Sequence, residues 1–278
     1  MCSSDLGEVH KPDEGIHITA TMQDITERHQ LEMAKSELIS TVSHELRTPL
    51  TSIVGTLGLA VGGVLGELPD RLRGMLATAD KNATRLSALI DDLLDIEKIS
   101  GGAMQFEFRP LAVATFMREA QAANQAYAQG LDATIRIMDQ IPDAKIYGDN
   151  DRLAQVMANL ISNACKFTPP GERVELRATR DEDAGTIALS VTDHGPGIPE
   201  AFEAAVFERF TQADQSLTRK DQRGGTGLGL SITKAIVDKH GGHVSFTTVR
   251  EPAHNHGTTF TVTLREWSEN HDAEPFKV

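Results

Sequence analysis

The chain has few of the groups that crosslink a protein or anchor it in a membrane. Two cysteines, Cys2 and Cys165, occur in 278 residues. They lie far apart without CxxC spacing, which excludes a disulfide framework and a thiolate zinc site and points to a reducing cytoplasm. No run of about 18 or more apolar residues is present, so no transmembrane helix is expected. The softest stretch, Leu57 to Gly66, is short and rich in glycine. Met1 to His10 lacks the charged-then-apolar order of a secretory signal. Basic charge is in deficit: 27 Lys and Arg stand against 40 Asp and Glu, a net charge of −13. That balance excludes sequence-independent nucleic-acid binding but leaves room for a local basic nucleotide site. With 40% hydrophobic and 24% charged residues, the rest reads as a soluble globular chain of one or two domains. No internal repeat is visible.

Residues 16–23, IHITATMQ, alternate like a strand and are followed by the helix-starting Asp24 and Thr26. From Leu31 the period becomes helical. Leu38, Val42, Leu46, Leu50, Ile53 and Leu57 form one stripe, and the glycine-rich Gly62 to Pro69 ends it. A second helix carries a regular heptad: Leu72, Leu76, Ala79, Ala83, Leu86, Ile90 and Leu93. Such a seam predicts a two-helix hairpin that dimerises into a four-helix bundle. Ser100-Gly101-Gly102 reads as a hinge, and beyond it strands and helices mix in the proportion of an α/β sandwich. The expected fold class is therefore α+β: the hairpin first, then the sandwich.

His44 lies two positions from both Val42 and Leu46, opposite the apolar seam and expected to face solvent. A neutral imidazole has a free nitrogen at cytoplasmic pH, and Glu45 beside it can orient the ring and take up its proton. Thr48 shares its face, and Pro49 can bend the helix just beyond.

Four later blocks suit a nucleotide. Asn159 and Asn163 lie four residues apart on one helix face, with Leu153, Val156, Leu160 and Ala164 on the buried one. Amide oxygens suit Mg²⁺, which keeps most of its waters, and Lys166 is placed to meet phosphate charge. Asp193-His194-Gly195-Pro196-Gly197 follows a strand; a buried carboxylate there can accept a hydrogen bond from an adenine amino group. Phe207-Glu208-Arg209-Phe210 is read as packing. Gly224 to Ile232, GGTGLGLSI, opens a helix whose first N–H groups can bind a triphosphate, with Arg219, Lys220 and Arg223 just before it.

The string Ser43-His44-Glu45-Leu46-Arg47-Thr48-Pro49-Leu50 resembles the H-box of sensor histidine kinases, and the later blocks resemble the N, G1, F and G2 boxes of the GHKL ATP-binding domain. Gly257-Thr258-Thr259-Phe260 resembles the closing G3-type segment. The resemblance spans roughly residues 27–266. It implies that His44 is the phospho-acceptor, Glu45 the assisting base and Thr48 a residue that positions water for the reverse phosphatase reaction. It assigns Asn163 to the metal. Asn159, Lys166, Phe167, Asp193, Gly195, Gly197, Arg219, Lys220, Gly225, Thr226, Gly227, Leu228, Gly229 and Thr258 go to ATP. The implied cofactors are ATP and Mg²⁺. The implied partners are a second copy, through residues 27–100, and the receiver domain of a response regulator; no nucleic acid is expected.

The domain reading that follows has five parts. Residues 1–7, whose MCSSDLG resembles a translated sequencing adaptor, are expected to be a non-native or disordered start. Residues 8–26 resemble the end of a PAS sensor domain, 27–100 are the phosphotransfer hairpin, 101–266 the ATP-binding domain and 267–278 a polar tail that is expected to be frayed. This portion is expected in the cytoplasm, with the sensor and any membrane anchor upstream.

Overall fold

The structure is a computed structural model and describes residues 4–6, 20–22, 26–64, 66, 68–211, 226–250 and 256–268. Side-chain surroundings are described from residue 41 onward within these ranges, His44 excepted. Two short strands, β1 (Ser4–Leu6) and β2 (Ala20–Met22), pair antiparallel. Part of the expected disordered start is thus a strand. Its main chain pairs in register with the segment around the β-branched Thr21, Asp5 opposite Thr21.

Two helices follow, α1 (Thr26–Val61) and α2 (Asp70–Ser100), packed as a hairpin. The expected single buried stripe divides in two. Leu50, with half-buried Val54 and Leu57, meets Ala83, Ile90 and Leu94 between the helices. Val42, Leu46 and Ile53 remain 47–49% exposed, as do Leu72 and Leu86 at 43% and 50%. One hairpin face cannot cover both stripes, because neighbouring seam positions on a 3.6-residue helix diverge in direction. Pro49 stands inside α1 and supplies no N–H to the carbonyl of Glu45.

The second unit is built from β3 (Arg109–Ala112), α3 (Val113–Gly130), β4 (Thr134–Asp139), β5 (Lys145–Gly148), α4 (Asn150–Phe167), β6 (Arg173–Asp181), β7 (Thr186–Thr192), a short α5 (Glu200–Glu203), α6 (Gly229–Lys239), β8 (His243–Val249) and β9 (Gly257–Arg265). Five strands form one mixed sheet in the order β4-β6-β7-β9-β8, with β4 parallel to β6 and the other pairs antiparallel. β3 and β5 make a separate antiparallel pair. Period-two alternation sets the faces: Ile187, Leu189, Val191, Phe260, Val262 and Leu264 are buried, while Ser190, Thr192, Thr259 and Thr261 point the other way. The buried face meets α3, α4 and α6 in one core. This is the helical hairpin followed by an α/β sandwich that the sequence predicts.

Two junctions differ from expectation. Ser100–Gly102 is not a loose hinge: Gly101 N–H and Gly102 N–H donate to the carbonyls of Glu97 and Ile99 at 2.8 and 3.2 Å. Ile96 and Ile99 of α2 are 2% and 4% exposed and belong to the sandwich core. The polar tail does not begin frayed, since Trp267 N–H donates to Lys145 O at 2.8 Å and Lys145 Nζ lies 5.0 Å from the Trp267 ring centroid. Its aromatic surface gives Trp267 a reason to dock that its polar neighbours lack.

Candidate functional site

α4 is fixed at its start by Asp149. This N-cap carboxylate accepts N–H groups of Asp151 and Arg152, each at 3.0 Å, and of Glu107 at 2.8 Å. Burial alone would raise its pKa; the three N–H donors and the Arg152 charge outweigh that and hold it below the ordinary carboxylate range. The Asp149 N–H donates to Nε2 of His240 at 3.0 Å, and His240 Nδ1 lies 2.8 Å from Ile236 O. Accepting at one nitrogen and donating at the other, this buried imidazole is neutral. Burial first lowers its pKa, in keeping with that state. It ties the end of α6 to the beginning of α4, the two helices that frame the site.

Along α4, Leu153, Val156, Leu160 and Ala164 are buried, as their spacing predicts, and Asn159, Asn163 and Lys166 are half-buried on the opposite side. Asn159 Nδ2 donates to Gly229 O at 3.3 Å, which brings α4 to the first residue of α6. A Cβ at Gly229 would stand 3.1 Å from Asn159 Oδ1, so glycine permits the approach. Asn163 makes no side-chain hydrogen bond to a described residue. The Lys166 ammonium is pushed down, first by burial and then by the charge of Arg85; Asp92 acts in the opposite sense.

Asp193 directly follows β7 and is 5% exposed. Its Oδ1 accepts the N–H groups of Gly195 at 2.8 Å and Thr258 at 3.2 Å. Its other oxygen makes no hydrogen bond to a described residue. Burial raises the carboxyl to about 6, although both N–H donors and the nearby His194 and His256 oppose the rise. The strand end is crowded: a Cβ at Gly195 would come 2.8 Å from Phe167 O, and one at Gly257 would come 2.1 Å from Asp193 O. Gly197 adopts φ +82°, a left-handed turn that needs no Cβ. Thr258 is buried, and Phe167 is 52% exposed beside Gly195. A cavity of about 410 Å³ opens along Thr192, Asp193, His194, His256 and Thr259.

Opposite this, Thr226, Gly227, Leu228 and Gly229 lead into α6, with Gly227 at φ +75°. Leu228 N–H donates to Thr226 Oγ1 at 3.2 Å, and Gly227 O accepts from Phe210 N–H at 2.9 Å. Phe207 packs against Phe246 and Phe260, whereas Phe210 is 65% exposed. Arg219, Lys220 and Gly225 lie outside the described residues.

The structure thus brings together Asn159, Asn163, Lys166, Phe167, Asp193, Gly195, Gly197, Thr258 and residues 226–229 on one side of the sandwich. His44, Glu45 and Thr48 lie on a separate element, α1, where Glu45 and Thr48 are exposed. Sequence reasoning missed a set of α2 residues at the site. Asp92 Oδ2 accepts from Thr226 Oγ1 at 2.8 Å, Asp95 Oδ2 accepts from Gln155 Nε2 at 2.7 Å, and Arg209 donates to Ser100 Oγ at 2.9 Å. Their acidic run, Asp91-Asp92 and Asp95, was visible but reads equally well as a solvated helix face.

A histidine motif on a helical hairpin, followed by an α/β sandwich with a carboxylate, amides and a glycine-rich helix start around one site, defines a histidine-kinase transmitter. Residues 34–102 match the His Kinase A (phospho-acceptor) domain, and residues 148–268 match the histidine kinase-, DNA gyrase B- and HSP90-like ATPase family. The chain belongs to the sensor histidine kinases. It is 36% identical over 244 residues to the circadian input-output histidine kinase CikA of Synechococcus elongatus, covering 87% of this chain and 31% of that protein. It is 36% identical over 267 residues to the signal transduction histidine-protein kinase BarA of Escherichia coli K12, covering 94% of this chain and 28% of that protein. The chain therefore spans less than a third of the length of these curated relatives. Full-length ShkA, solved in complex with AMPPNP, superposes with a TM-score of 0.67 at 27% identity, over 84% of this chain and 46% of that one. Among the described residues no helix is long and apolar enough to cross a membrane.

Proposed function

We propose that this chain is the transmitter of a two-component sensor: it binds ATP in the sandwich, transfers the γ-phosphoryl group to His44, and passes it to an aspartate of a response regulator. The observation that carries this reading is Asp193, a buried carboxylate with one oxygen held by two N–H donors and the other left to read an adenine amino group. Phosphoryl transfer asks little covalent chemistry of a protein beyond positioning and charge neutralisation. Lys166 and the N–H groups opening α6 face the phosphates, and Glu45 accepts the imidazole proton. In-line attack by the His44 nitrogen forms the N–P bond as the bond to ADP breaks.

Bound Mg²⁺ would neutralise charge on the phosphate oxygens. The half-buried Asn163 oxygen fits it, as a neutral hard donor one helical turn from Asn159. Asn163→Ala is expected to leave adenosine binding intact and weaken Mg-ATP binding about 100-fold, the loss of about 2–3 kcal/mol of ligand interaction. Mg-ATP affinity equal to wild type by calorimetry would remove Asn163 from the site.

The exposed Val42, Leu46, Ile53 and Leu86 support homodimerisation through residues 27–100, because a second hairpin would cover them. Residues 101–266 form the ATP-binding domain in this reading, and 8–26 the end of an upstream sensor. In this reading the portion acts in the cytoplasm, where ATP is available. Thr48 is proposed to position water for dephosphorylation of the regulator. Thr48→Ala is expected to keep autophosphorylation within about twofold and to slow dephosphorylation about tenfold or more; unchanged dephosphorylation would remove that role.

A further inference from the structure

α2 does more than dimerise: its last three turns lie against the sandwich at the place where the triphosphate belongs. Asp92 Oδ2 accepts the Thr226 hydroxyl at 2.8 Å, and that same hydroxyl oxygen accepts Leu228 N–H at 3.2 Å. Thr226 and Leu228 open the glycine-rich turn into α6. A donor N–H that an incoming anion would use is therefore already bound, and the hydroxyl that binds it is turned to a carboxylate. Lys166 also acts on Asp92 electrostatically. An anionic group from within the chain thus stands among donors suited to phosphate oxygens.

The rest of the contact holds it there. Asp95 accepts from Gln155, Glu97 pairs with Arg209 at 3.5 Å, and Ile96 and Ile99 are buried in the sandwich core. This is a fitted surface with an apolar anchor beside it.

We propose that Asp92 is an internal competitor of the ATP triphosphate: its carboxylate holds the Thr226 hydroxyl at the start of the glycine-rich turn while α2 is docked, so nucleotide binding and release of this contact are coupled. The inference rests on the nucleotide reading of the site. Two negative groups at one set of donors repel, and whatever loosens α2 near Asp92 then favours ATP, while ATP favours a loosened α2 by the same factor. A signal that rotates or shifts the hairpin would in this way reach the nucleotide site without touching it.

The test is calorimetric titration of the full chain and its Asp92→Asn variant with two probes, Mg-ATP and adenosine. Asparagine keeps the size of the side chain and removes its charge. The expected result is about tenfold tighter Mg-ATP binding by the variant, with adenosine affinity unchanged. The unchanged adenosine affinity also reports that the variant is folded. Mg-ATP binding that is no tighter in the variant, while wild type binds ATP, overturns the competition and leaves the nucleotide site standing. An equal gain for adenosine overturns it too, because it would mean a general loosening rather than a freed phosphate subsite. Failure of the wild-type chain to bind either probe overturns the nucleotide reading, and the competition with it.

Discussion

Asp193→Asn is expected to weaken ATP binding by 100-fold or more while making the nucleotide-free protein more stable at neutral pH. Both effects come from one geometry. Asp193 Oδ1 is held by Gly195 N–H and Thr258 N–H, so an asparagine must keep its oxygen on those two donors. Its amide NH₂ then takes the place of the second carboxylate oxygen and meets the adenine amino group, donor against donor. A buried mispairing of this kind costs about 3 kcal/mol, or more than 100-fold in affinity. A base that presents a carbonyl at the same position, as in GTP, should lose far less.

The stability change has the opposite sign. The Asp193 carboxyl stands at about 6 in the folded protein against an ordinary 3.8. Between those values the folded state binds a proton that the unfolded state does not, so stability falls as pH rises through the window and stays lower above it. The step corresponds to roughly 3 kcal/mol, and asparagine carries no charge to bury. The variant should therefore unfold later than wild type at pH 7.5, by about 1–3 kcal/mol once its extra amide donor is allowed for. That advantage should vanish below about pH 4. Urea unfolding at the two pH values, beside ATP titration, checks both halves. Tight ATP binding by the variant would remove Asp193 from base recognition.

The second large effect is expected at His44. Glutamine matches histidine roughly in size and tolerates a helix, but it has no nucleophilic ring nitrogen. His44→Gln should abolish phosphorylation of the chain, a loss of at least about 10³-fold. ATP affinity should stay within about twofold, because His44 lies on α1 and the residues proposed to hold the nucleotide lie on the sandwich. Loss of labelling together with loss of ATP binding would point to misfolding instead, so the two are measured on the same preparation.

How far these features are legible in the sequence depends on the range of the interaction. The strands β7 and β9 alternate cleanly because one face meets a core and the other does not. α4 shows both its buried stripe and its amides because 3.6-residue spacing separates them. Asp193 is recognisable because glycines and a turn follow a strand. The hairpin is different. Its apolar residues serve two seams, one within the hairpin and one left exposed, and a linear pattern does not separate Leu50 from Leu46. The contacts of Asp92 with Thr226 and of Asp95 with Gln155 join residues far apart in the chain, and acidic residues on a helix look solvated until the partner is seen. Likewise Ser100–Gly102 has the composition of a hinge, but Ile96 and Ile99 anchor the helix end in the core beside it.

ATP bound in the sandwich is expected to phosphorylate His44. The direct measurement is incubation of the full chain with ATP labelled at the γ-phosphate, followed by acid treatment and mapping of the labelled peptide. One acid-labile phosphoryl group is expected on the peptide that contains His44, and none in the His44→Gln variant. Label that survives acid on a serine or threonine, or label retained by His44→Gln, would contradict it.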